Sequence, residues 1–303
     1  MNILIYGSGG IGGFLGAFLL KSNFQIFFLA RGDTYKKFSQ NGLILNSEIE
    51  NIKCKEINLL NNIRKCPELD IVILAVKLYD LEYSLNELSK YARGDFTILP
   101  FQNGVIAEIM IKKKFGKEKV FGAVAQISSF LDDNKRIIHN GRLASFFVGK
   151  IIAKNNYENK IIRFSEKVNS LGIDFRYSNK ITQKIWDKFI FLSAYSGITT
   201  LTEMTIGEIF DHKNYRDLFI KAMEETFLLS KKKNIKFDYN PVAVWIERIS
   251  KMPRNLTSSM FIYFKKKKKL ELDWLSGSVV SMGKEVSISC DAHNTIVEGI
   301  KSK

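Results

Sequence analysis

Two hydrophobic rhythms divide this chain. In its first part, Ile3-Leu4-Ile5, Ile26-Phe27-Phe28-Leu29, residues 69–76 and Phe96-Thr97-Ile98-Leu99 are short, nearly continuous apolar runs. Strands covered on both faces are apolar throughout rather than alternating, so these runs predict buried strands of a parallel sheet. Helical spacing fills the intervals at 14–21, from near Thr34, and at 79–91. Residues 43–57 read as two short strands around 46–51, residues 120–130 and 137–148 as two more, and Phe175-Arg176-Tyr177 as a last one. From Ile181 onward apolar residues recur at helical spacing only, predicting helices at 181–195, 215–231, 241–249, 258–286 and 294–302. The pattern therefore predicts an α/β domain over residues 1–179 and an all-α domain over 180–303, with a compact junction near Asn179.

The first strand runs straight into Gly7-Ser8-Gly9-Gly10-Ile11-Gly12, and a helical pattern follows. Gly7, Gly9 and Gly12 have the G-x-G-x-x-G spacing of the dinucleotide-binding turn. There the first glycine makes the turn, the second admits a pyrophosphate to the backbone, and the third lets helix pack on strand. The phosphates sit at the helix N-terminus, where free N–H groups and the dipole favour an anion. A glycine-rich turn alone is weak evidence. Here strand, turn, helix and second strand follow one another at βαβ distance, which makes the α/β domain a Rossmann domain in our reading.

The corners of that sheet carry candidate chemistry. Arg31 ends the second strand, where an acidic residue would hold the ribose hydroxyls of NAD and a basic one accommodates the extra phosphate of NADP; NADPH is the expected cofactor. Asp33 lies two residues further and reads as a turn or N-cap residue. Lys77 and Gln102-Asn103-Gly104 follow central strands at their carboxyl ends, where open α/β sheets bind ligands. His139, inside a strand, reads as a solvated or core histidine.

Composition narrows the partners. The 303 residues include three well-separated cysteines without a C-x-x-C, arguing against a disulfide framework or a zinc site, so no metal is expected. The opening apolar segment turns glycine-rich with no basic residue ahead of it, and no apolar stretch has membrane-spanning length. We therefore expect no signal peptide, no membrane partner and a cytoplasmic location. The formal charge of +15 is spread along the chain except for Lys265-Lys266-Lys267-Lys268-Lys269. On the helix expected there these lysines point to all sides, with Phe261, Tyr263 and Phe264 on its buried face, so no nucleic-acid partner is expected.

Gly7-Ser8-Gly9-Gly10-Ile11-Gly12 with Arg31, Ala75-Val76-Lys77, Gln102-Asn103-Gly104, His139-Asn140-Gly141, Trp186-Asp187-Lys188, Ser258-Ser259-Met260 and Glu271-Leu272-Asp273-Trp274-Leu275-Ser276-Gly277 together resemble the ketopantoate reductase (2-dehydropantoate 2-reductase) family. The resemblance implies a Rossmann domain and a helical domain, with NADPH and a 2-keto acid held in the cleft between them. By position, Lys188 looks like the catalytic lysine and Glu271 like the active-site carboxylate. Ser259 and Ser196 correspond to substrate contacts, and Asn103 and Lys77 to residues at the cofactor and substrate end. The implied activity is reduction of ketopantoate to pantoate for pantothenate synthesis, with a homodimer allowed for. An ammonium beside the ketone suits this chemistry, since hydride addition places negative charge on the oxygen.

Four positions depart from the family pattern. Asparagines usually stand one and two turns after the catalytic lysine, where this chain has Leu192 and Ser196, and the usual Gln-Asp after Ser-Ser-Met is Ile262-Tyr263. Leu192 cannot hydrogen-bond, which leaves reduction of another branched 2-keto acid as an alternative. A nucleotide-binding regulator without turnover is the reading from a different class, motivated by the charge.

Overall fold

The computed structural model describes residues 1–303. The chain forms two compact units, one comprising Met1–Gln102 and Ala107–Ile181, the other Asn103–Ile106 and Thr182–Lys303. No helix is long and apolar enough to cross a membrane.

The first unit follows the order β1 (Asn2–Tyr6), α1 (Gly10–Leu19), β2 (Gln25–Leu29), α2 (Gly32–Asn41), β3 (Leu43–Ser47), β4 (Ile52–Cys54), β5 (Asn58–Leu60), β6 (Ile71–Leu74), α3 (Leu81–Tyr91), β7 (Thr97–Pro100), α4 (Ile106–Phe115), β8 (Phe121–Leu131), β9 (Ile137–Lys150), α5 (Glu158–Asn169) and β10 (Asp174–Tyr177). The apolar runs make a five-stranded, wholly parallel sheet in the order β5-β2-β1-β6-β7. A second sheet runs β10-β9-β3-β4, with β8 antiparallel to β9. Helix α1 packs against strands of both sheets, and Phe14, Phe18, Phe101, Phe146 and Phe175 fill the core around it.

The second unit is helical: α6 (Ile181–Thr202), α7 (Ile206–Asp211), α8 (Lys213–Lys232), α9 (Pro241–Ser250), α10 (Ser259–Lys265), α11 (Ser276–Glu285) and α12 (Asp291–Lys301). The architecture is thus an α/β Rossmann unit plus an all-α C-terminal unit, as the hydrophobic pattern predicts. Helix α6 is 22 residues long and buried along most of its length.

Local expectations fail in instructive places. Helix α1 starts at Gly10, not near residue 14; its internal Gly16 is required because a Cβ there would lie 2.7 Å from Phe28 Cζ. Helix α2 starts at Gly32 with Arg31 as its N-cap, so Asp33 lies in its first turn and is no cap; its carboxylate pairs with Lys135 at 3.3 Å. The single helix expected at 258–286 is broken into α10, a 3-10 turn at Leu272–Trp274, and α11. Lys267 adopts φ 51°, which an α-helix cannot accommodate, so beyond Lys265, the last residue of α10, the lysine block runs on as an exposed loop instead of encircling a helix. Helix α7 and the edge strand β5 were not foreseen. His139 is a core histidine, bonded to Ser47 Oγ at 2.8 Å and to the Leu143 carbonyl at 3.1 Å.

Candidate active site

The glycine turn is shaped by its neighbours. Gly7 has φ 104°, and a Cβ there would lie 2.6 Å from the Ala75 carbonyl carbon, so only glycine can turn the chain at the end of β1. A Cβ at Gly12 would strike the Gly7 carbonyl, and one at Gly10 the Ser129 carbonyl. A Cβ on Gly9, by contrast, would meet nothing within 4 Å. Gly9 caps α1 without any side-chain hydrogen bond, and the first turn of α1 carries no acidic residue. The leading N–H groups of an α-helix have no acceptor within it, so bare backbone beside open space fits a dinucleotide pyrophosphate. Ser8 is buried and donates to the Leu29 carbonyl at 3.2 Å, tying the turn to β2, while half-buried Ile11 packs on the core.

Arg31 reaches back over this end of the sheet. Its Nη2 donates to the Tyr6 hydroxyl at 3.2 Å and lies 3.5 Å from Glu87 Oε2, while its guanidinium lies 4.7 Å from the centroid of Tyr83. Lys77, half-buried, caps a 3-10 turn at Leu78–Asp80 directly after β6 and the Ala75-Val76 pair.

The helical unit gathers the other candidates. Lys188, in the second turn of α6, donates from Nζ to Asn103 Oδ1 at 2.8 Å. Asn103 comes from the turn after β7, whose residues Asn103–Ile106 belong to the helical unit; Gly104 there holds φ 88°, beside the Trp274 carbonyl and the Phe189 ring. Burial lowers the Lys188 ammonium to about 8, and the charge of buried Glu271 opposes that fall. The structure therefore brings Lys188, Asn103 and Glu271 together. Ser196, two turns further along α6, is buried, with half-buried Leu192 between it and Lys188. Ser259 is exposed at the start of α10.

Several supporting residues escape sequence reasoning. The carboxylate of Asp187, next to Lys188, accepts from the Tyr239 hydroxyl at 3.0 Å and Arg248 at 3.5 Å, and its carbonyl accepts from the Trp245 indole at 2.9 Å. Burial raises the Asp187 carboxyl above its ordinary range against the pull of these partners. Thr199 donates to the Ser258 hydroxyl at 2.7 Å, and that hydroxyl in turn accepts the Phe261 N–H, so the N-terminus of α10 is pinned to α6. In the α/β unit, both amide atoms of Gln102 and Glu108 Oε2 are buried without a protein partner. Burial drives the Glu108 carboxyl up to about 8 although the Ala123 backbone hydrogen-bonds to it. Asp187, Ser258 and Gln102 lie within motifs of the resemblance, but these contacts are invisible in the sequence, and Thr199 and Glu108 lie in no motif.

Comparison with known proteins covers the whole chain. Residues 3–152 match the family described as Ketopantoate reductase PanE/ApbA, and residues 180–303 match its C-terminal counterpart. The chain is 25% identical over 301 residues to the uncharacterized oxidoreductase YkpB of Bacillus subtilis, covering 99% of this chain and 98% of that one. It is 24% identical to the 2-dehydropantoate 2-reductase of Archaeoglobus fulgidus, with the same coverages. Among solved structures, a 2-dehydropantoate 2-reductase from Geobacter metallireducens superposes with a TM-score of 0.90 at 20% identity over 100% of this chain and 99% of the other. D-mandelate dehydrogenase, solved with NADH and anilino(oxo)acetate, superposes at 0.88 with 18% identity over 100% and 97%. Two family matches that together span both units, in the order of the glycine turn and the Lys188 helix, place the chain in the ketopantoate reductase family.

Proposed function

We propose that this protein is an NADPH-dependent reductase that converts a 2-keto acid, with ketopantoate the first candidate, to the 2-hydroxy acid. The observation that carries the reading is the Lys188 ammonium, fixed on Asn103 at 2.8 Å, lowered to about 8 and flanked by Glu271. The glycine turn from Gly7 to Gly12 holds the cofactor's phosphates, Arg31 receives its 2′-phosphate, and Lys77 and Asn103 serve its nicotinamide end. A bound reduced nicotinamide supplies the hydride that adds to the ketone carbon.

As the C=O π electrons move onto oxygen, Lys188 stabilises the developing charge and gives it a proton, leaving a neutral amine that recovers a proton from solvent. An ammonium near pKa 8 is still charged at neutral pH yet a far better donor than an exposed lysine. Asn103 Oδ1 accepts from Nζ and aims it. Glu271 keeps the lysine protonated and can accept a hydrogen bond from a substrate hydroxyl, while Ser259 and Ser196 contact the substrate. Leu192, on the same stripe of α6 as Lys188, favours the second reading, a branched 2-keto acid lacking a hydroxyl at that point. That a D-mandelate dehydrogenase shares this fold supports keeping the second reading.

The test is NADPH oxidation by the purified protein against a panel of 2-keto acids including ketopantoate, repeated with Lys188→Ala. Substrate-dependent oxidation that vanishes in the variant supports the reading. Turnover that survives the substitution refutes Lys188 as donor.

A further inference from the structure

The Arg31 corner holds more than a phosphate receptor. Both polar contacts of its guanidinium use the same nitrogen, Nη2, which donates to the Tyr6 hydroxyl at 3.2 Å and faces Glu87 Oε2 at 3.5 Å. Tyr83, whose ring lies under the guanidinium, and Glu87 stand one turn apart on α3, so a single helix face supplies both the stacking surface and the counter-charge. The Glu87 side chain is 22% exposed and that of Arg31 46%, so the pair sits at the edge of solvent with the acid more enclosed. Strong recognition of a phosphate by arginine uses two parallel N–H groups. To offer both terminal nitrogens, Arg31 must release Nη2 from Glu87, and the carboxylate left beside it repels the dianion. NADH makes no such demand.

We propose that Glu87 is a specificity-determining residue that competes with the 2′-phosphate for Arg31 and so sets the preference between NADPH and NADH. This rests on the reading that the glycine turn and Arg31 bind the adenosine half of the cofactor. The competition is between partly exposed charges, so it is moderate in size and fades with salt.

The experiment measures dissociation constants for NADPH and NADH by quenching of protein fluorescence, at low and at high ionic strength, for the wild type, Glu87→Gln, Arg31→Ala and the double variant. Thermal melts confirm that each is folded. Glu87→Gln is expected to tighten NADPH about threefold to tenfold at low salt, with NADH moving less than twofold. The gain should shrink at high salt and disappear in the double variant. If Glu87→Gln leaves NADPH unchanged or weaker while Arg31→Ala still weakens NADPH selectively, Glu87 does not compete and the proposal falls alone. If Arg31→Ala weakens both cofactors equally, the assignment of Arg31 to the 2′-phosphate falls, and this proposal with it.

Discussion

Removing the charge of Glu271 should move the pH at which turnover fails, and the direction follows from the forces on Lys188. Burial pulls that ammonium down to about 8 and Glu271 pulls it back up. With Lys188 as proton donor, kcat for reduction falls as pH rises through its pKa. At about 8, roughly three quarters of the enzyme carries the proton at pH 7.5 and about a tenth at pH 9. Glu271→Gln keeps the shape and deletes the charge, so only the burial penalty remains. An opposite charge within contact range is worth about one pKa unit or more. The alkaline limb should move to about 7, lowering kcat about threefold at pH 7.5 while leaving it nearly intact at pH 6. The assay is kcat at saturating NADPH and keto acid from about pH 5.5 to 9.5 for both proteins. A limb that stays near 8 in Glu271→Gln, or rises, refutes the electrostatic coupling. A limb that persists in Lys188→Ala refutes Lys188 as its source.

Further outcomes can be checked independently. Lys188→Ala should lower kcat by roughly 10²-fold or more with little change in NADPH affinity by fluorescence titration, because its contact strengthens as charge develops. Ser258→Ala removes the cap of α10 and its bond to Thr199; denaturant titration should show a loss of about 1 kcal/mol, and KM for the keto acid should rise. Glu225→Ala strips the Ala292 and His293 N–H groups of the carboxylate that accepts them at 2.8 and 3.1 Å, and urea melts should show a loss of about 2 kcal/mol or more. Glu108 is raised from 4.5 to about 8 on folding, so the native state binds the extra proton between those values and stability falls as pH rises through that window. The thermal midpoint of Glu108→Gln should therefore decline less than that of the wild type between about pH 5 and 8.

What the sequence discloses depends on whether a force is local. Parallel strands are legible because β1, β2, β6 and β7 are apolar on both faces, and the glycine turn because its steric demand is met by glycine alone. Lys188 is legible only through its motif; as one lysine on an amphipathic pattern it is indistinguishable from a solvated one. Glu87 and Thr199 give no signal at all, and Asp187 shows only as a motif neighbour of Lys188, since their partners Arg31, Ser258 and Trp245 lie 56, 59 and 58 residues away. The break after α10 was hidden for a different reason. Lysines are good helix formers, so propensity gives no hint that Lys267 takes φ 51° and the helix stops there.

A cation on a mostly buried helix needs its direction fixed, because a rotation of α6 by one residue, about 100°, would carry Nζ away from Asn103 altogether. The sequence neighbours of Lys188 prevent it. On one side Asp187 is held by Tyr239, Trp245 and Arg248 from α9 and the segment before it. On the other, Phe191 stacks on the same Trp245 with centroids 4.2 Å apart, and Phe189 meets Trp186 edge-on at 5.7 Å. Further along, Thr200 and Thr202 return their hydroxyls to α6's own carbonyls at 2.7–2.8 Å, so polar residues on a buried helix stay satisfied without pulling it out of register. Trp245 thus links both sides of the lysine to one indole. Asn103, which aims the Lys188 ammonium, and Glu271, which favours its charge, belong to the helical unit, where packing has already limited their freedom. A donor held this way need not be reorganised when charge appears on the substrate oxygen, which is the condition under which a single ammonium contributes most to rate.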